Sequence, residues 1–263
     1  MSWQEYLLNP RKLFIPAEPA IRFGLPWVPV STIAEQFYCE AKVDFEYKHG
    51  KIPTPAKEEG TELHEEIIEM ESTTPMDLVK AIAKKPVLLC AFPVYAQVGD
   101  MPIMGMPDAV LFQRSKPSQL IELKTTNGDV TKLWRNQAVQ IKAYGLALDS
   151  MGFDCRNLQL SLVRVNKEGI AAELKGQLLS EISYGLLRGS PEAIEQTFNA
   201  QQRGQVKIHL MAYHRDDALK DVVWAKDYWT MKREAVPTTA PSKCRACEFN
   251  ADCPYSLVKG RRG

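Results

Sequence analysis

Three cysteines fall within ten residues in SKCRACEFNADCPYS (242–256): Cys244, Cys247 and Cys253. Thiols spaced this tightly read as metal ligands, and a closed thiolate site takes four. A fourth thiol must be brought from elsewhere, and that demand constrains the fold more than any other feature of the chain. Cys90 lies in an apolar stretch beside Leu88 and Leu89, and Cys155 follows Phe153 at a helix-to-strand turn. Free cysteine is among the most buried residue types, so both read as core. Cys39 remains, 205 residues before Cys244. The expectation is a chain whose two ends meet.

The thiols point to metal rather than to disulfides because the chain reads as cytosolic. No apolar run approaches the roughly 20 residues of a membrane span, and MSWQEYLLNPRKLF lacks a charged-then-apolar signal pattern. Thiols in that compartment stay reduced. A formal net charge of only +1 excludes a binder working through bulk charge. The one local bias is the tail from Lys243 to Gly263, with five basic residues against two acidic ones.

Five prolines within residues 1–30 suggest an irregular arm. Thr32 with Glu35 fits a capping box and Gly50 a stop, so 32–48 reads as a helix with Cys39 inside it. EEGTELHEEIIEMES (58–72) reads as a second helix. PVLLCAFPVYAQ (86–97), PIMGMPDAVLFQ (102–113) and SQLIELKTT (118–126) read as three strands. The turn TTNGD opens a helix from Val130 to about Gly152, with Leu133, Gln137, Gln140, Tyr144, Leu148 and Met151 on one face. A strand (157–166), helical sequence from 171 to 201 broken at Gly189-Ser190-Pro191, a strand from 205 and a helix from 218 follow. Trp224, Tyr228 and Trp229 on that last helix fit either a core face or self-association. The class is α/β or α+β, a mixed sheet flanked by helices.

Within the strands lie charges that an apolar environment penalises. Glu122 and Lys124 sit between Leu120, Ile121 and Leu123. Alternation puts both on one strand face, and a hairpin can bring Asp108 beside Glu122. Two carboxylates bind a hard divalent cation such as Mg²⁺ or Mn²⁺. The lysine can hold an attacking water or steady charge developing on a phosphate. The competing interpretation is a buried ion pair.

Four short motifs in order resemble the RecB-like branch of the PD-(D/E)XK nuclease superfamily: Gly60-Thr61-Glu62-Leu63-His64, Gly105-Met106-Pro107-Asp108, Glu122-Leu123-Lys124, and Gln140-Ile141-Lys142-Ala143-Tyr144. The resemblance implies that His64, Asp108, Glu122 and the Leu123 carbonyl ligate Mg²⁺ or Mn²⁺. Lys124 would act on the water, and Gln140 and Tyr144 would position DNA or Lys124. It implies a restriction-endonuclease-like fold in one nuclease domain over 1–263, with a core at about 58–165.

A subset of these nucleases, including the CRISPR-associated Cas-four exonuclease family, carries one cysteine before the core and three after it, holding a 4Fe-4S cluster. Cys39, Cys244, Cys247 and Cys253 match that layout, with 31–50 and 237–256 as the clamp. Structural Zn²⁺ is the competitor. The implied activity is metal-dependent exonuclease digestion of single-stranded DNA ends in CRISPR spacer acquisition, with integrase proteins as partners. The alternatives are an end-processing nuclease of repair or recombination and a non-catalytic DNA-binding assembly module. Two features depart from the pattern: Glu40 follows Cys39 where family members often carry proline, and 166–216 is long. Trp134 and Arg135, at the opening of the Gln140 helix, are candidates for contact with a single strand or for packing on the sheet.

Overall fold

The computed structural model describes residues 2–9, 21–52, 74–166, 175–200 and 205–258, with side chains of 178–198 in the fourth segment. In chain order the elements are α1 (Trp3–Leu8), β1 (Val28–Pro29), α2 (Val30–Tyr38), α3 (Glu40–His49), α4 (Pro75–Lys84), β2 (Val87–Cys90), β3 (Val94–Val98), β4 (Met101–Gly105), β5 (Ala109–Gln113) and β6 (Lys116–Thr126). There follow α5 (Arg135–Ser150), β7 (Gln159–Asn166), α6 (Lys175–Leu186), α7 (Pro191–Ala200), β8 (Val206–Ala212), α8 (Arg215–Trp229) and α9 (Pro241–Arg245).

The strands form two sheets, one of order β1-β4-β3 and one of order β2-β5-β6-β7-β8. Both are mixed: β1 runs parallel to β4 and β6 parallel to β7, and the remaining pairs are antiparallel. The two stretches expected as single strands at 86–97 and 102–113 each split between the sheets. Pro93 and Pro107 fall at the two breaks, where a residue without an N–H cannot extend a ladder. The fold is thus α+β, mixed sheets flanked by helices.

The parallel β6–β7 pair is bridged by α5, whose Val139, Ile141, Leu146 and Leu148 join Leu120, Leu160 and Leu162 in the larger core. The opposite face of the sheet, carrying Ile121, Leu123, Val163 and Val165, packs on Leu178, Ile182 and Phe198 of α6 and α7. Period-two alternation therefore puts Glu122 and Lys124 on the α5 side.

Helix α4 has no counterpart in the sequence expectations, although Thr74 caps it by accepting from the Asp77 N–H at 3.2 Å and Pro75 opens it. The helix expected over 32–48 is two, separated by Cys39 in extended conformation (φ −168°, ψ 115°). Among the described residues no helix is long and apolar enough to cross a membrane.

Candidate functional site

Asp108 precedes β5 and is 5% exposed. Its Oδ2 accepts the backbone N–H of Leu123 at 2.6 Å, which ties it to the adjoining strand β6. An extended residue aims its N–H and C=O to the same side, so the Leu123 carbonyl opens toward Asp108. Glu122, 2% exposed, accepts from Lys124 Nζ at 2.8 Å and from Gln140 Nε2 at 2.7 Å, both on Oε1. Gln140 Nε2 also lies 3.3 Å from the Tyr144 hydroxyl. The structure thus brings Asp108, Glu122, Leu123, Lys124, Gln140 and Tyr144 together at the end of β6. His64 lies outside the described residues.

The electrostatics follow from this packing. Burial acts to lower the Lys124 ammonium, but the carboxylates of Glu122 and Asp108 outweigh it and hold its pKa above the ordinary value. Lys124 is therefore a charged donor. Burial, reinforced by Glu122, drives the Tyr144 phenol well above its ordinary value, so it stays neutral. Gly105 lets the ring in: a Cβ there would lie 2.6 Å from Tyr144 Cε1 and 2.9 Å from Val30 Cβ. Gln137, one turn before Gln140, has a buried side-chain oxygen with no hydrogen-bond partner among the described residues.

The second constellation joins the chain's distant segments. Cys39, Cys244, Cys247 and Cys253 line one cavity. The Thr238 N–H lies 3.4 Å from Cys39 Sγ. On one side of Cys39, the Tyr38 hydroxyl donates to the Lys243 carbonyl at 3.2 Å, and Lys243 Nζ returns to the Tyr38 carbonyl at 2.9 Å. On the other side stands Glu40, fully buried. Arg233 grips it with both terminal nitrogens (2.5 and 2.6 Å), and the Val236 N–H (2.6 Å) and Gln36 Nε2 (2.5 Å) donate to it as well. Gln36 in turn accepts from the buried Trp229 indole at 2.8 Å. Lys42 lies between Glu46 (3.2 Å) and Glu248 (3.7 Å). Residues 38–42 are thus fastened to 233–248 by these contacts.

The extended backbone at Cys39 has its cause here: its thiol faces the cavity and its neighbours face the C-terminal segment. Cys90 and Cys155 lie apart from that cavity. Burial pushes the Cys90 thiol up to about 12 and raises that of Cys155 too, as expected for core thiols.

Among the described residues no three of His, Cys, Asp and Glu stand close enough to hold a single metal ion. The acid site offers Asp108 and Glu122, and the four thiols belong to residues that line one cavity.

Sequence reasoning missed three residues. Glu40 was seen only as a departure from a family pattern. Arg164, 3% exposed and paired in register with Lys124, and His209 both hold the loop before α5, Arg164 through the carbonyls of Asp129 (3.0 Å) and Lys132, His209 through that of Val130 (3.3 Å). A charge inside the apolar strand 159–166 was the available signal for Arg164.

No family model matches the chain. No curated protein matches it. The crystal structure of a protein designated SSO0001 aligns over 97% of this chain and 96% of its own, at 13% identity and a TM-score of 0.48, a likeness too low to carry weight for fold or function.

Proposed function

We propose that this chain is a divalent-metal-dependent deoxyribonuclease of the RecB-like PD-(D/E)XK type, acting on single-stranded DNA ends. The observation that carries the reading is the convergence of Asp108, Glu122 and Lys124 beside Gln140 and Tyr144. A buried ion pair would explain Glu122 and Lys124. It leaves unexplained a further buried carboxylate held against the same strand by a backbone N–H.

Asp108 and Glu122, with the Leu123 carbonyl and His64, would hold Mg²⁺ or Mn²⁺, which when bound would neutralise the scissile phosphate and lower the pKa of a coordinated water. The chain's own groups do the positioning. Lys124, charged and partly exposed, donates toward a phosphate oxygen or the incoming water. Gln140 fixes the Glu122 carboxylate, and the neutral Tyr144 supports Gln140 from one turn further along α5. By resemblance the pathway is CRISPR spacer acquisition, with integrase proteins as partners and the cytoplasm as the place.

The cysteine cavity would hold a 4Fe-4S cluster on Cys39, Cys244, Cys247 and Cys253. The thiols suit the group chemically and line one cavity, and structural Zn²⁺ on the same four thiolates is the competitor that metal analysis separates.

Two measurements test the reading. Lys124→Met should lose most oligonucleotide cleavage at saturating Mg²⁺ while still unfolding cooperatively, with a lower thermal midpoint because Glu122 loses its cation, and full activity in that variant would remove the site. Anaerobically purified protein should be coloured, with about four irons per chain. Colourless protein with stoichiometric zinc would remove the cluster.

A further inference from the structure

The segment between β6 and α5 was expected to be helical from Val130, yet α5 begins only at Arg135. Contacts from Thr131, Arg164 and His209 show why. Thr131 turns back through its N–H and hydroxyl onto Asp129 Oδ1, at 2.9 and 2.6 Å, a local bond that competes with helix. Arg164 Nη1 then takes the carbonyls of Asp129 and Lys132, and His209 takes that of Val130. The loop is pinned from beneath at three successive points.

Arg164 is an unusual post. It is buried, has no carboxylate within ion-pair distance among the described residues, and its Nε finds no hydrogen-bond partner. A buried guanidinium with no carboxylate in contact is expensive, and here two loop carbonyls and the charge of Asp129 offset its burial. In register it stands beside Lys124, so two cations lie side by side at the carboxyl ends of parallel strands, where ligands of such sheets bind.

What the pinned loop presents is equally specific. Lys132 and Arg135 are exposed, and the Trp134 ring is 50% exposed. Arg135 lies over the Phe37 ring at 4.9 Å, and Phe37 meets Trp224 at 4.9 Å. A half-exposed indole beside Lys132 and Arg135, the latter also 3.8 Å from Asp221, on a loop held by hydrogen bonds, matches the stacking-plus-charge chemistry that binds unpaired bases and their phosphates. Gln140, which bonds Glu122, follows Arg135 on the same helix after a rise of about 7.5 Å.

We propose that residues 129–135 form a ledge for single-stranded polynucleotide entering the acid site, with Trp134 as the stacking platform and Lys132 and Arg135 as phosphate contacts. The ledge deepens the nuclease reading by naming where the strand lies, and Arg164 is its positioning residue.

The test is fluorescence anisotropy of labelled oligothymidylate with the full chain in EDTA, so that binding is read without cleavage. Trp134→Ala should weaken binding about tenfold, roughly one base–aromatic stack, and Trp134→Phe should restore most of it. A duplex of equal length, whose bases are already stacked, should lose much less. Equal affinity for parent and Trp134→Ala, or an equal loss for duplex, overturns the ledge. Tight Trp134-dependent binding by a parent that never cleaves in Mg²⁺ or Mn²⁺ keeps the ledge and removes the nuclease. Cleavage with Trp134-independent binding does the reverse.

Discussion

The acid site and the cysteine cavity are assembled in opposite ways. The acid site draws on residues 108–144, one hairpin and the crossover helix that follows it, and backbone pairing of β5 with β6 fixes most of its geometry. The cavity draws on residues 38–42 and 233–253, far apart in sequence, and side chains fix it: a fully buried Glu40 gripped by Arg233, and Tyr38 and Lys243 each bonding the other's carbonyl. A site framed by a ladder can change its functional side chains without losing its frame. A site framed by buried polar contacts cannot, because removing one partner strands the others.

Four substitutions sharpen or break that contrast. The largest expected effect is catalytic: Glu122→Gln keeps the size of the side chain but not its charge, and metal-dependent cleavage should fall by about 10³-fold or more, with a thermal midpoint within a few degrees of the parent. A variant that unfolds instead would show that the acid site, too, is structural. Next, Glu40→Ala leaves Arg233, the Val236 N–H and Gln36 without their acceptor. It should cost about 3–5 kcal/mol in urea unfolding, the usual penalty for breaking a buried pair. Third, Cys244→Ala should cost less than Glu40→Ala when both are compared metal-free, within the common 0.5–3 kcal/mol range, because the protein contacts persist. The reverse ranking in metal-free protein would mean that the packing at Cys244, not Glu40, joins the segments.

The smallest effect concerns pH. Burial foremost, then Glu46, raises the Glu35 carboxyl above its ordinary value, against the lowering pull of Lys42. The native chain thus binds a proton that the unfolded chain releases, so this group's contribution to stability is present below the ordinary glutamate pKa and declines as pH rises through the raised one. Glu35→Gln should therefore gain stability relative to the parent as pH increases from about 4.5 toward neutrality, by denaturant titration at several pH values. A difference that is flat with pH would contradict the raised pKa assigned to the half-buried Glu35.

Legibility in the sequence followed the same division. Glu122 and Lys124 could be placed on one strand face because alternation is local, and Asp108 followed from a short hairpin. Gln140 and Tyr144 followed from the period of one helix. The splitting of 86–97 and 102–113 between two sheets was not legible, since both halves of each stretch are equally apolar and only Pro93 and Pro107 hint at a corner. The late start of α5 depends on Arg164, 29 residues beyond its first residue, taking carbonyls that a helix would have used. Glu40 is the clearest case. Next to a cysteine in a polar stretch it looks like solvated surface, and only Arg233 and Val236, brought back by α8, make it the anchor of the C-terminal segment. Trp229 and Tyr228, which fitted core or self-association equally well, are fully buried, the former bonded to Gln36 and the latter to Asp44.

The most direct test of the proposed chemistry is digestion of end-labelled single-stranded DNA by anaerobically purified protein with Mg²⁺ or Mn²⁺, beside Asp108→Ala. The account predicts metal-dependent degradation by the parent alone, with the choice of labelled end giving the polarity. Label left intact by a folded, metal-supplied parent, or lost equally with Asp108→Ala, would contradict it.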